Sequence, residues 1–236
     1  PEQCNKIGAY AFYGNKSFKA LNLFAKNGIG ERAFAKCTGL TQVSVGFTYG
    51  SEPGAFEDCT SLVSAVIQSG TESIPNLTFS GCTALTSVEI PEGVRSIGCA
   101  FVGCSSLEEI TIPESVVSLS DSWDCDHLKS IHIKSLDSWM GMNNNTFSLK
   151  GGRKLLVNGN LVKEVVFPEG NGYNGYTTIS DWFKDYEYLE SITIPDKTVS
   201  IQNDAFNGCD NLSRIYCYAE TPPHLSNYAF SDNCIQ

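Results

Sequence analysis

Histidine, tryptophan and methionine are scarce in this chain of 236 residues, with three, three and two copies. None of His127, His132 and His224 stands beside a Ser or Cys in a way that makes a nucleophile and its base. Also missing are a Gly-x-Ser-x-Gly elbow, a Gly-rich loop closed by Lys-Ser or Lys-Thr, and a His-Glu-x-x-His pair. The chain therefore reads as a non-enzyme with no cofactor. No Cys-x-x-Cys is present, which removes the tight spacing of a structural zinc site. No apolar run is long enough to span a bilayer, so no membrane insertion is expected of these residues. Bases are few: 16 Lys and Arg against 26 Asp and Glu give a net charge of −10. That balance argues against nucleic acid and against anionic membrane surfaces, both of which select basic patches. Charged residues make up only 18%, yet 42% are apolar, enough for a core and too many for a disordered chain.

What is present is one pattern, repeated. Its clearest copy runs Ile97-Gly98-Cys99-Ala100-Phe101-Val102-Gly103-Cys104-Ser105-Ser106-Leu107-Glu108-Glu109-Ile110-Thr111-Ile112-Pro113. The same register returns at Phe34, Cys37, Leu40; at Phe56, Cys59, Leu62; at Phe79, Cys82, Leu85; and at Phe206, Cys209, Leu212. From Phe18 through Leu40, Leu62, Leu85 and Leu107 to Leu128 the steps are 22, 22, 23, 22 and 21 residues. A fixed period of this length is the signature of a solenoid. Within one unit, Ile110 and Ile112 point to one face of a short strand and Glu109 and Thr111 to the other. Pro113 ends the strand because it has no N–H to give the ladder. One unit cannot bury its own Leu, Ile and Phe, but stacked units bury a continuous core. The expectation is a right-handed stack of 22–23-residue coils, with one parallel sheet face and turn or short helical returns. About nine coils would give a sheet roughly 40 Å long.

These residues carry a resemblance. The pattern Ile-Gly-x-x-Ala-Phe-x-x-Cys-x-x-Leu-x-x-Ile-x-Ile-Pro resembles the BspA-like leucine-rich repeats found on many bacterial surface proteins, and it covers nearly the whole chain. It differs from the commoner leucine-rich pattern, in which Asn or Cys follows the strand. The resemblance implies a leucine-rich-repeat solenoid that is secreted or displayed at the cell surface. Pro1 and Ile235-Gln236 both read as cut ends of a mature or truncated fragment, so the missing signal sequence does not bear on compartment. Residues 1–236 read as a single elongated domain, a monomer, with an irregular insert over 135–178.

Ten cysteines would ordinarily suggest disulfides. Six of them, Cys37, Cys59, Cys82, Cys104, Cys125 and Cys209, stand three residues before a repeat Leu and form the rungs of an internal ladder. Ladder side chains point the same way, which is poor disulfide geometry, so these read as buried reduced thiols. Cys217 and Cys234 lie off the ladder and could bridge the last coil. Asp121, Asp124, Asp126 and His127 form the densest set of metal-ligand types, but only Asp124 and Asp126 fit a calcium loop. The stretch reads as an acidic solvated bend and not as a metal site.

Between Leu128 and Leu189 the spacing is 61 residues, nearly three periods, and the pattern breaks. Ser135 to Arg153 fits no repeat register and holds Trp139, Met140 and Met142. Leu155 to Val162 reads as a hairpin turning at Asn158-Gly159. Gly170 to Tyr176 reads as a flexible loop carrying Tyr173 and Tyr176. Outward strand positions in the regular coils are mostly small and polar: Gln42, Ser44, Ser64, Val66, Ser87, Glu89 and Glu109. Hot-spot residue types gather instead in the insert and the C-terminal strands. The candidate binding residues are accordingly Trp139, Tyr173, Tyr176, His132, Arg214 and Tyr216. Three readings compete. One is an adhesion module that binds an extracellular protein of a host, its matrix or a neighbouring cell. The second is a glycan binder that stacks sugars on exposed Trp139, Tyr173 and Tyr176. The third is a passive spacer. Clustered exposed aromatics favour either binder over the spacer.

Overall fold

The computed structural model describes residues 4–120, 125, 127–142, 149–168 and 177–231. It is a β-solenoid of about eight stacked coils, not nine. The insert uses a period's length without closing a regular coil. Asn15, Cys37, Cys59, Cys82, Cys104, Cys125, Tyr186 and Cys209 stand in the equivalent slot of successive units.

The principal strands come from the Leu-x-x-Ile-x-Ile segments. β1 (Ala20–Phe24), β2 (Gln42–Gly46) and β3 (Ser64–Ile67) pair in parallel, each residue against its counterpart 22 positions on. Two further strands follow from the Ser-Ile segment of the next returns: β4 (Ser73–Ile74), and after it β6 (Ser96–Ile97). Between them lies β5 (Ser87–Glu89), which pairs with β3. β7 (Glu109–Thr111) and β8 (Ser118–Leu119) repeat the two kinds in the next coil. Thus the coil carries two parallel ladders: the broad one expected from the repeat and a second, two residues wide, in the order β4-β6-β8. Alternation holds as the repeat dictates: Ile110 and Ile112 are buried, Glu109 and Thr111 exposed.

The remaining elements are β9 (Ser130–Ile133), α1 (Leu136–Met140), β10 (Lys154–Val157), β11 (Asn160–Leu161), β12 (Glu164–Val166) and β13 (Thr178–Ile179). They are followed by β14 (Ser191–Ile194), β15 (Ser200–Ile201), β16 (Arg214–Cys217) and β17 (His224–Leu225). β10 stacks on β9 in parallel, but Asn158 and Gly159, both at positive φ, reverse the chain into antiparallel β11. β11 takes the edge where another parallel strand would sit. A new sheet, β12-β14-β16, then resumes the solenoid, with β13-β15-β17 as its narrow ladder.

The broad sheet has one earlier break. Among the described residues no backbone hydrogen bond joins β5 to β7, and Val88 and Ile90 are only half-buried there. The other side of the same coils stays closed. β4-β6-β8 is continuous, and Phe79 stacks on Phe101 at 5.7 Å with planes 8° apart. Lys134 reaches across two coils to Glu92 at 2.5 Å.

The core is ordered by the Phe and Cys ladders. Phe12, Phe34, Phe56, Phe79 and Phe101 stack ring on ring at 5.1 to 5.7 Å. Each Cys thiol donates to the carbonyl of the Phe one coil back: Cys59 to Phe34, Cys82 to Phe56 and Cys104 to Phe79, all at 3.2 Å. Cysteine suits this slot because it fills space like a small hydrophobe and still offers a weak donor. All six ladder cysteines are buried reduced thiols. Cys217 is reduced and exposed, and Cys234 lies outside the described residues. Native thiol labelling should therefore modify Cys217 rapidly, Cys4 and Cys99 more slowly, and the six ladder thiols only on unfolding. Rapid modification of all six would contradict the ladder.

Tyr186 fills the cysteine slot where the preceding coil is the insert. Its hydroxyl donates to Val162 O at 2.6 Å and lies 3.4 Å from Leu155 O, so the longer side chain reaches the hairpin carbonyls. Burial raises its pKa, and burial pushes the Cys37 thiol up to about 11. Cys104 is raised by burial, Cys82 by the Cys59 thiol and by burial. The native state thus holds these protons more tightly than the unfolded chain. The resulting stability is fully present below the ordinary thiol value near pH ~8.5 and is lost as pH rises through the native values. The urea midpoint should fall between about pH 8.5 and about pH 11; a flat midpoint would remove this linkage.

Candidate functional site

The sheet β12-β14-β16 gathers the large and charged side chains that the regular coils lack. Register aligns Glu164, Ser191 and Arg214 across the three strands, and Val166, Thr193 and Tyr216 two residues on. The Arg214 guanidinium reaches over the middle strand to Glu164 at 3.3 Å, and Ser191 between them in register is buried. Beside this pair lies a groove of about 700 Å³ lined by Lys163, Tyr188, Glu190, Asn211, Ser213 and Arg214. Lys163 bonds Glu190 at 2.6 Å, and Arg214 lies 3.8 Å from the same carboxylate. The Lys163 hydrogen bond holds the Glu190 carboxyl below its usual pKa. These pairs are solvent-exposed, so each contributes little to stability and can be exchanged for a partner's groups. Asn211 and Tyr188 are anchored through Glu187 O at 2.6 Å and Gly152 O at 3.4 Å.

Tyr216 is half-exposed, at 50%, and Val166, on the same face, and Tyr218, two residues on, are exposed as well. The arrangement offers an aromatic and aliphatic patch beside a salt-linked polar groove. Its residue types suit recognition of a macromolecular surface.

The other expected site residues fare differently. His132 lies on β9, 3.5 Å from Glu109, between Thr111 and Leu156 in register. It belongs to a different sheet from Arg214 and Tyr216. Trp139 is not an exposed stacking platform: it is completely buried. α1, capped by Ser135, whose hydroxyl accepts the Ser138 N–H at 3.2 Å, turns the indole inward. Its Nε1–H donates to Trp182 O at 3.1 Å. Met140 and Met142 are buried with it. Tyr173, Tyr176, Asp121, Asp124 and Asp126 lie outside the described residues.

Several exposed aromatics lie outside the strand register, Tyr218 and Tyr49 among them. Tyr218 follows β16 directly, and Tyr49, in the loop after β2, is fully exposed. The available signal was position: neither falls where the repeat calls for a core residue.

Among the described residues no helix is long and apolar enough to cross a membrane. No curated protein matches the chain. A leucine-rich repeat protein from Bacteroides ovatus is 19% identical with a TM-score of 0.55, the match covering 99% of this chain and 75% of that one. The pneumococcal vaccine antigen PcpA is 16% identical with a TM-score of 0.47, covering 92% and 66%. A leucine rich cell surface protein from Faecalibacterium prausnitzii is 21% identical with a TM-score of 0.37, covering 90% and 76%. The B. ovatus likeness shows the fold. The profile of the BspA type leucine rich repeat region matches in six copies, over residues 5–123, 51–150 and 174–236. With its repeats matched over most of its length, the chain belongs to the BspA-type leucine-rich repeat family.

Proposed function

We propose that the chain is a non-catalytic module, secreted or displayed at the cell surface, that binds an extracellular protein of a host or neighbouring cell through its C-terminal strand face. The repeat family and fold are generally non-enzymatic and suggest a surface or protein-interaction module. The observation that carries the reading is the concentration of Arg214 and Tyr216 on β16 with Tyr188 in the groove beside it. Arg and Tyr dominate binding hot spots, whereas Ser and Thr, which fill the regular coils, contribute little. A face built only for solubility would not keep Tyr216, Tyr218 and Val166 exposed together.

The test is an extracellular-protein array and a glycan array probed with the same purified protein. The expected result is a protein ligand whose binding is weakened by Arg214→Ala and Tyr216→Ala, each by about 1–2 kcal/mol or more. A glycan ligand alone would transfer the site to sugars. No ligand on either array would favour the spacer.

A further inference from the structure

A second surface, two coils deep near the N-terminal end, has its own chemistry. The loop after β2 carries Tyr49 with its ring fully in solvent. That ring stands on a rigid base. The buried Thr71 hydroxyl of the next coil accepts the Phe47 N–H at 3.1 Å, and the Ser51 hydroxyl accepts the N–H groups of Thr48 and Ile29 at 3.2 and 3.3 Å. Below the loop, Gly28 has φ +89°, and a Cβ there would lie 2.1 Å from the Gly50 carbonyl. This close backbone contact requires Gly at position 28 and holds the loop backbone against the coil below.

Between this loop and the stretch Gly70 to Pro75 runs a groove of about 560 Å³, walled by Tyr49 on one side and by Glu72, Ser73 and Pro75 on the other. Glu72 is exposed and makes no ion pair among the described residues, and no Lys or Arg lines the groove. An aromatic face and a lone carboxylate both attract a cation. On the Glu72 side the field points the same way, since residues 52 to 126 hold twelve acidic residues and a single base, Arg95, while residues 1 to 51 on the other side hold six bases and two acids. A neutral sugar would use the ring but gain nothing from Glu72, and a carboxylate or phosphate would be repelled by it.

We propose that this groove takes a Lys or Arg side chain from an extended basic segment of a partner protein, the cation lying over Tyr49 and paired with Glu72. The site adds a contact on different coils to the protein-binding reading, on which the class of partner rests. Direct measurement uses fluorescent hexa-arginine and hexa-lysine peptides, titrated by anisotropy at about physiological ionic strength. Tyr49→Ala and Glu72→Gln should each weaken binding by about threefold and together by about tenfold, while Tyr49→Phe keeps it within about twofold. Tyr49 is wholly exposed, so these variants should keep the native circular dichroism. Glu220→Gln, the same charge change in the last coil, should leave the affinity unaltered. If it weakens binding as much as Glu72→Gln, the attraction is diffuse and the site does not exist. Binding of maltohexaose that is lost in Tyr49→Ala, with the peptides unaffected, would make the groove a sugar site and overturn the proposal. The pair Arg214→Ala and Tyr216→Ala should leave peptide binding unchanged. A protein ligand that depends on that pair, with no effect of Tyr49→Ala on the peptides, would sink this groove and leave the C-terminal reading standing.

Discussion

Trp139→Ala should destabilise the protein by about 3–5 kcal/mol, the range for deleting a buried aromatic. The indole is completely buried, and its N–H joins α1 to Trp182, 43 residues later. It therefore fastens the insert to the second run of coils at the point where the broad sheet is interrupted by β11. In a solenoid each coil contacts only its neighbours, so loss at such a joint is felt locally. Urea unfolding followed by hydrogen exchange should show the coils after residue 177 opening first, while β1 to β3 stay protected. Trp139→Phe keeps most of the volume and loses one hydrogen bond; it should cost roughly 1–2 kcal/mol. A loss below about 1 kcal/mol for the alanine variant, or uniform opening of the whole rod, would show that Trp139 is not a joint.

Cys82→Arg should prevent folding of the central coils. Cys82 is fully buried, its thiol donating to Phe56 O, with Cys59 and Cys104 as the rungs on either side. A guanidinium in that position would be buried without a counter-charge, at a cost exceeding the margin of a typical native state. Cys82→Ala removes only a small side chain and should cost on the order of 1 kcal/mol. The comparison is read from soluble yield and from protection of Cys59 and Cys104 against a thiol reagent. Native-like protection of those two cysteines in the arginine variant would contradict the ladder.

The regular coils were legible because every element of the unit repeats. Ile110 and Ile112 could be placed inside, and Glu109 and Thr111 outside, from a two-residue period repeated with the same spacing in other coils. The narrow ladder was not legible, since strands of two residues such as Ser96–Ile97 are too short to show alternation. Trp139 was misplaced for a different reason. A repeat register tells which residues the regular stack uses, not what an insertion adds to the core, and α1 turns an off-register indole inward. The same limit hid Tyr186's contact with the hairpin carbonyls, although its slot was visible. Arg214 and Tyr216 stand out in the sequence because they break the small, polar trend of the strand face. Tyr49 carries no such signal, because it belongs to a loop, outside the strand positions whose facing the repeat fixes.

The most direct test of a C-terminal binding face is an exchange of loss between two faces of one rod. Once a ligand is identified by array, its affinity is measured for a variant carrying Arg214→Ala and Tyr216→Ala and for one altered at Gln42, Ser64 and Ser87. Both sets lie on exposed or half-exposed strand positions, so both variants should unfold at the same urea concentration as the parent. The account predicts that the first variant loses at least about tenfold in affinity, or about 1.4 kcal/mol, while the second binds as the parent does. Full binding by the first and loss in the second would place the site on the regular coils and contradict it.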